Sequence, residues 1–249
     1  MKLYQMSISH YCEKIRWALA FKNISYQKVN LLPGMHIARI RKLTQAKNSS
    51  VPVLEIPAHT ATEANQVIQN SSDILDYLES HFPANSLMPS DPQLQQEVRD
   101  WEAFADQQIG PHVRRCCYHI LLQHKKLLVP MLSEGGPWYA NILLTVIYPK
   151  LTTLMRQSMA IHPAGFAKSQ ALLDQANQRL ESHLQTRDYL VGDQFTRADL
   201  AVAALLAPLS RAPGYGIDWP STLPPELAAI EQRYQRVLHW VNGLYEQYR

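Results

Sequence analysis

The chain has 249 residues, and 46% of them are hydrophobic, which is enough to bury a core in one large domain or two ordinary ones. Its 24 basic and 21 acidic residues leave a net charge of only +3 and form no basic block, which argues against a nucleic-acid partner. The longest apolar runs are shorter than the roughly 20 residues that span a bilayer, and the N-terminus has no signal-peptide pattern. Three cysteines do not make a disulfide framework. We therefore expect a cytoplasmic protein without a membrane segment.

The first 85 residues alternate strand-like and helix-like segments. The predicted order is strand, helix, strand, helix, strand, strand, helix, with limits near 3–8, 12–22, 24–29, 35–43, 51–56, 66–69 and 70–81. Ser71 or Ser72 can cap the last of these helices, and the polar stretch 59–63 is predicted to be a turn. The pattern predicts a compact α/β unit.

Residues 82–92, with the sequence FPANSLMPSDP, are dense in proline, serine and asparagine, as is typical of a linker. Beyond them the apolar residues recur at helical spacing. We predict helices over 91–124, interrupted at Gly110 and Pro111, and over 137–159, 166–185, 198–209 and 225–248. The sequence thus predicts an α/β domain at 1–84, a linker at 85–92 and an all-helical domain at 93–249.

Four segments resemble the cytosolic glutathione S-transferase superfamily, and together they span most of the chain. SHYCEKIRWAL (9–19) is similar to the first-helix motif of the family, and SVPVL (50–54) to its cis-proline loop. NSSDILDYL (70–78) is similar to its γ-glutamyl-binding segment, and GDQFTRADL (192–200) to its buried capping box. The resemblance is to the serine-type, theta- or zeta-like classes of bacterial type. It implies a thioredoxin-like N-terminal domain followed by an all-helical C-terminal domain.

The resemblance also implies an activity. Glutathione would be the co-substrate, without a metal, and its thiolate would attack a hydrophobic electrophile in a detoxification reaction, with peroxidase or dehalogenase side activity. The family further implies a homodimer. Thr196 and Asp199 would form the capping box that starts a buried helix, a structural role.

The candidate catalytic residue is Ser9, at the step from the first strand to the first helix. In the serine-type classes the equivalent hydroxyl donates a hydrogen bond to the glutathione sulfur, which favours the thiolate. The positive end of the helix dipole at the same point favours an anion as well. The residue pattern alone favours a simple helix cap, and both roles can coexist.

The pair Ser9 and Cys12 has the spacing of a Cys-x-x-Cys redox motif whose first cysteine is replaced by serine. That loss argues against dithiol exchange, because the first cysteine is the nucleophile of such motifs. Cys12 is predicted to be a small buried residue. Thiol reduction through Cys12 is retained as a weaker alternative.

The glutathione-binding residues implied by the resemblance are His36, Val51, Pro52, Asn70 and Ser71. The bond before Pro52 would be cis, with the backbone of Val51 pairing with the cysteinyl part of glutathione. Ser71 would hold the γ-glutamyl group at a helix N-terminus, and His36 the glycyl carboxylate.

Two positions depart from the family pattern. Asn70 stands where an acidic residue or glutamine is usual, so a charge-assisted bond is lost. Ser50 stands where many relatives carry lysine, and Arg39 and Lys42 are further candidates to bind the carboxylate. These departures make a non-catalytic binding or interaction module the rival hypothesis.

The hydrophobic-substrate site is expected between the domains, lined by side chains of the helices that follow the linker. Its candidates are Tyr11, Phe104, Gln108, His112 and Arg115, with Tyr118 as a further one. An aromatic stripe at helical spacing is also typical of a core. The long segment 119–166 is expected to supply an added cover that includes Trp138, Tyr139 and Tyr148.

Overall fold

The computed structural model describes residues 1–46, 48–58 and 64–249, so the turn predicted at 59–63 lies outside the described residues. The N-terminal part has the element order that the sequence predicts. In chain order its elements are β1 (Lys2–Gln5), α1 (His10–Phe21), β2 (Gln27–Asn30), α2 (His36–Thr44), β3 (Val53–Ile56), β4 (Gln66–Gln69) and α3 (Ser71–His81).

The four strands form one sheet in the order β2-β1-β3-β4. Strand β1 runs parallel to β2 and antiparallel to β3, and β4 runs antiparallel to β3. Helix α1 is the crossover between the two parallel strands. Leu3 of β1 and Leu54 of β3 are paired on neighbouring strands, and both are fully buried. This is the thioredoxin-like arrangement that the resemblance implies.

Strand β1 ends at Gln5, three residues earlier than predicted. The carbonyl oxygens of Met6 and Ser7 accept hydrogen bonds from the Arg16 guanidinium of α1, and Ser9 N–H donates to Met6 O. Because this turn is bonded to the helix that follows it, it cannot continue the sheet. The chain therefore turns sharply at Ser9 into α1.

The rest of the described chain is helical. It comprises α4 (Pro92–Phe104), a π-helical turn (Ala105–Ile109), α5 (Gly110–Leu121), α6 (Lys125–Ser133), α7 (Ala140–Ser158), α8 (Pro163–His183), α9 (Arg197–Ser210), α10 (Pro225–Arg233) and α11 (Gln235–Tyr248). Helix α6, which contains Pro130, was not predicted, and the helix predicted over 225–248 is two helices that meet at Tyr234. None of the helices in the described ranges combines the length and hydropathy needed to cross a membrane.

The sequence predicts that the helix is interrupted at Gly110 and Pro111, but the structure is helical through both residues. Gly110 N–H instead donates to Ala105 O, five residues back, which is a π-type hydrogen bond. The wider turn lets the chain remain helical up to Pro111, which lies in the first turn of α5 and there needs no N–H donor.

Helix α9 is the centre of the helical domain and packs against α1, α4, α5 and α11. Its residues are buried from Arg197 to Ala207. Its start carries the expected capping box: Thr196 Oγ1 accepts from Ala198 N–H, and Asp199 Oδ2 accepts from Thr196 N–H at 2.9 Å. Asp199 Oδ1 also accepts from Leu190 N–H. A helix start this deep in the core has no water to satisfy its N–H groups, so the box is essential.

A buried ionic cluster joins the two domains, and we call it the junction cluster. Lys14 of α1 lies 2.7 Å from Glu102 and 2.9 Å from Asp106, and Arg197 lies 2.6 Å from Glu102. Ser72 of α3 donates from its hydroxyl to both carboxylates. The side chains of Lys14 and Arg197 are 0% and 1% exposed, so each charge depends on these partners.

Replacing Glu102 by Gln is expected to destabilise the fold by about 3–5 kcal/mol, because two buried cations lose their shared counter-charge. Chemical denaturation at pH 7 measures the change. The control is Glu97→Gln on the exposed face of α4, which should cost less than about 0.5 kcal/mol. An equal effect of the two substitutions would contradict the role assigned to Glu102.

The ion pairs of Glu102 with Lys14 and Arg197 predict that the stability of the fold depends on pH. Burial alone would raise the pKa of Glu102, but Lys14 and Arg197 outweigh it and hold the pKa below its usual value. The ionised group therefore contributes stability that is complete above the unfolded pKa of about 4.3 and is lost as the pH falls through the lower folded pKa. The stability difference between wild type and Glu102→Gln should narrow below about pH 4, and a constant difference down to pH 3 would contradict this.

Thr196→Ala is expected to cost about 1–2 kcal/mol, because it leaves N–H groups of a buried helix start without an acceptor. Thermal unfolding measures the loss. Thr153→Ala, at an exposed position of α7, is the matched control and should change stability by less than about 0.5 kcal/mol. A Thr196 variant as stable as this control would show that the box is dispensable.

Candidate functional site

A cavity of about 570 Å³ lies where the N-terminal domain faces the helical domain. Its N-terminal wall is largely polar and includes Ser9, His10, His36 and residues 48–51. Its helical wall is mostly apolar and is formed by side chains of α5, α6, α7, α10 and the segment after α9, among them Met131, Leu151, Met155, Trp219 and Leu223. A ligand with one polar and one apolar half would match these two walls.

Ser9 lies on the polar wall, and it is the N-cap of α1. Its backbone is extended (φ −79°, ψ 120°), and its Oγ accepts a hydrogen bond from Cys12 N–H at 3.3 Å. This bond uses a lone pair of the hydroxyl, and the O–H hydrogen can point either to the Cys12 thiol, which it reaches, or to a group in the cavity. Capping and donation into the cavity are therefore compatible, as the sequence suggested.

Cys12 lies one turn into α1 and is fully buried. Burial raises the pKa of its thiol, and the nearby Arg16 and Ser9 only partly offset this effect. Cys117, on the helical wall, also has its pKa raised by burial. Neither thiol is the exposed, low-pKa type that makes a nucleophile.

The loop before β3 passes along the cavity and contains a cis peptide bond between Val51 and Pro52, as the resemblance implies. Val51 lines the cavity, whereas Pro52 is buried behind it. Within the described residues, neither the N–H nor the C=O of Val51 has a hydrogen-bond partner. Gln69 holds the loop by donating from Nε2 to Ser50 O at 2.8 Å. Val51 thus presents free backbone groups in an extended segment.

Helix α3 starts at a residue with an unusual backbone. Asn70 has φ +88° and ψ 134°, and its Oδ1 accepts from Ser72 N–H at 3.4 Å. The prediction that Ser71 or Ser72 caps this helix is therefore wrong: Ser71 is its buried first residue, and the Ser72 hydroxyl is used in the junction cluster. Positive φ in a non-glycine residue is strained and is concentrated at binding sites.

The two histidines of the polar wall are neutral at pH 7. Burial, reinforced by the Arg114 guanidinium, lowers the pKa of His10 to about 3. Burial also lowers the pKa of His36, although a hydrogen bond to the Leu32 backbone opposes the effect. His36 is the first residue of α2 and lines the cavity. It can donate a hydrogen bond to a ligand there, but it adds no charge.

Of the residues predicted for the hydrophobic-substrate site, Tyr11 and the further candidate Tyr118 line the cavity. Tyr11 also crosses the domain junction, where its hydroxyl donates to Asp106 O at 2.9 Å. Burial raises the pKa of both phenols, that of Tyr118 to about 12. Both are therefore neutral at pH 7.

The other predicted residues lie outside the cavity wall. Phe104 packs against Trp101 and under the Arg179 guanidinium, and Gln108 is exposed on the π-helical turn. His112 is hydrogen-bonded to Ser169 of α8, and Arg115 donates to Met159 O and to Ser169 Oγ. This side of α5 faces α8. The side that faces the cavity carries Arg114, Cys117, Tyr118 and Leu121.

Sequence reasoning did not find Arg114, Met155, Trp219 or Leu223. The residues of α5 that face the cavity do recur at helical spacing (114, 117, 118, 121), so periodicity could have identified that face once its phase was known. The other three residues come from α7 and from the segment between α9 and α10, and only the tertiary fold brings them to the cavity. Within the described residues there is no group of three or more metal-ligating side chains.

Comparison with known proteins gives matches over both domains. Residues 3–86 match the family "Glutathione S-transferase, N-terminal domain", and residues 163–242 match "Glutathione S-transferase, C-terminal domain". A glutathione S-transferase of Pseudomonas putida is 31% identical over 100 residues, which cover 40% of this chain and 41% of that protein. The aligned part is thus less than half of the relative.

Solved structures give similar folds at low sequence identity. A glutathione S-transferase from Methylobacillus flagellatus, determined with glutathione bound, has a TM-score of 0.60 at 21% identity and covers 97% of this chain and 92% of its own. FzlA from C. crescentus has a TM-score of 0.61 at 21% identity over 98% of this chain and 86% of its own. At these identities the likeness concerns the fold alone. Together with the two domain matches, it shows that this chain belongs to the glutathione S-transferase family.

Proposed function

We propose that the protein is a glutathione transferase of the serine type. Glutathione would lie along the polar wall of the cavity with its sulfur against the Ser9 hydroxyl, and a hydrophobic electrophile would occupy the helical wall. The observation that supports the proposal is that the hydroxyl that caps α1 lines the same cavity as the apolar side chains of the helical domain.

The contacts available to glutathione are mainly backbone groups. The free N–H and C=O of Val51 can pair with its cysteinyl part in the manner of an added strand. The N-terminus of α3, at Ser71, suits the γ-glutamyl carboxylate because N–H groups and the helix dipole favour an anion there. His36 can donate to the glycyl carboxylate as a neutral side chain.

The chemistry needs a thiolate beside an electrophilic carbon. A free thiol of this kind has a pKa of about 8.5, so a minor fraction is ionised at pH 7. A hydrogen bond from Ser9 and the dipole of α1 both stabilise the anion and so lower that pKa. The sulfur then forms a bond to the electrophilic carbon, the leaving group departs with its electron pair, and the thiol proton goes to solvent. Peroxide reduction or dehalogenation would use the same thiolate.

The rival function is a non-catalytic binding module. It is favoured by Asn70, whose side-chain oxygen is already used as a helix cap, and by Ser50, which offers no charge to the glycyl carboxylate. Glutathione affinity and turnover measured on one preparation separate the two functions. Binding without turnover across several electrophiles would favour the module.

Ser9→Ala is expected to lower kcat/KM for glutathione and chlorodinitrobenzene at least tenfold and to raise the apparent pKa of its pH profile by about one unit, because the thiolate loses its donor. The loss of the cap also costs about 1 kcal/mol of stability. Ser9→Gly removes the same hydroxyl at a smaller cost to the helix and should give the same kinetic defect.

The control is Ser182→Ala, at an exposed position of α8 outside the cavity wall, which should change kcat/KM less than twofold. Full activity of both Ser9 variants, with an unchanged pH profile, would rule out Ser9 as the activating group.

Cys12→Ala is expected to retain at least half of the activity, because a buried thiol with a raised pKa takes no part in the reaction. Native protein should also react with maleimide at Cys12 far more slowly than unfolded protein. Loss of activity in a folded Cys12→Ala variant, together with rapid labelling, would favour thiol reduction instead.

A further inference from the structure

The helical wall of the cavity contains one charged side chain, Arg114 of α5. It shares the cavity-facing side of this helix with Tyr118 and Leu121, one and two turns further on. The surrounding wall is made of Leu151, Met155 and other apolar side chains. The Arg114 side chain is exposed at the cavity surface, so its guanidinium is accessible to a ligand there and can form charge-assisted hydrogen bonds to an anion.

Within the described ranges, the protein supplies Arg114 with no anionic partner. Among the described residues, Arg114 has no hydrogen bond and no ion pair, and the cavity lining contains no aspartate or glutamate. The adjacent Arg115 is different, because Met159 O and Ser169 Oγ accept its N–H groups. The two neighbouring arginines thus have different roles: Arg115 ties α5 to α8, whereas the guanidinium of Arg114 is left available to a ligand.

The other titratable side chains among the described residues that line the cavity carry no charge at pH 7. His10 has its pKa lowered to about 3 and His36 also has a lowered pKa, so both are neutral bases. Burial raises the pKa of Tyr11, Tyr118 and Cys117, so these are neutral acids. Arg114 is therefore the one formal charge among the described residues that line the cavity.

Arg114 also lies within electrostatic range of the start of α1, where Ser9 is located. Its charge acts on His10 and Tyr11, the residues that follow Ser9. The groups offered to the two glutathione carboxylates, at His36 and Ser71, lie on α2 and α3 of the other domain. The guanidinium is thus placed to meet the molecule that occupies the helical wall.

We propose that this molecule is a hydrophobic carboxylate, and that Arg114 binds its carboxylate group. Arginine suits this role because its planar fork can donate two parallel hydrogen bonds to one carboxylate. The proposal rests on the proposed function only in naming the hydrophobic carboxylate as the second substrate; its binding at Arg114 does not require turnover.

Binding is tested first, without glutathione, with the matched pair 4-phenylbutanoate and 4-phenylbutanamide. By titration calorimetry, wild type should bind the carboxylate at least tenfold more tightly than the amide. Arg114→Gln should remove that preference and Arg114→Lys should keep part of it. Arg236→Gln, at an exposed position of α11 outside the cavity wall, should leave it unchanged. No binding of the carboxylate at millimolar concentration, or an equal preference in Arg114→Gln, would overturn the proposal.

Turnover is then tested with glutathione and a second pair, 4-chloro-3-nitrobenzoate and 4-chloro-3-nitrobenzamide, in which a carbon–sulfur bond replaces the carbon–chlorine bond and chloride leaves with the electron pair. Arg114→Gln should raise KM for the benzoate at least tenfold and leave KM for the benzamide and for glutathione within twofold. A rise in KM for glutathione with both electrophiles would assign Arg114 to glutathione and overturn the proposal. Absent turnover with an intact carboxylate preference would reject the transferase function but support the carboxylate site.

Discussion

The position of Lys14 constrains the whole site. Lys14 belongs to α1, and its side chain is completely buried. Its counter-charges, Glu102 and Asp106, lie on the helical domain. The same carboxylates accept from Ser72 in the first turn of α3. The junction cluster therefore fixes the starts of α1 and α3, where Ser9 and Ser71 lie, against α4 and the π-helical turn. Helix α5, which carries Arg114, follows directly from that turn. Apolar packing alone is not directional, whereas buried ion pairs and hydrogen bonds tolerate only one alignment of the two domains.

This arrangement explains why the fold was largely predictable. The motifs at 9–19, 50–54, 70–78 and 192–200 each act over a short distance, through a cap, a cis-proline loop or a capping box. The alternation of apolar residues then assigned strands and helices to the right domains. Errors occurred where side-chain bonds override the local pattern: β1 ends early because Arg16 binds the carbonyl oxygens of Met6 and Ser7, the two residues that follow it.

Of the residues predicted for the N-terminal side of the site, Ser9, His36 and Val51 line the cavity, whereas Pro52, Asn70 and Ser71 do not. Ser9, His36 and Val51 are positioned by nearby turns, so their sequence neighbours identify them. The helical wall depends on the phase of α5, which follows a π-helical turn. One additional residue in a turn changes the phase of all later side chains by about 100°, and no sequence signal marks such a turn. The residues predicted on α5, His112 and Arg115, contact Ser169 of α8 instead, and Arg114 was not anticipated.

The two walls also differ in how they depend on side chains. In the proposed transferase, glutathione is bound mainly through backbone groups, those of Val51 on the polar wall and those at the N-terminus of α3 outside the cavity lining. The departures at Ser50 and Asn70 therefore remove individual charge-assisted bonds of about 1.5–3 kcal/mol rather than the site. The helical wall is built from side chains alone. Because Arg114 is its one charge, a single substitution can change the preferred second substrate while the groups that activate sulfur stay in place. Activation and specificity are thus assigned to different domains, and the junction cluster keeps them in register.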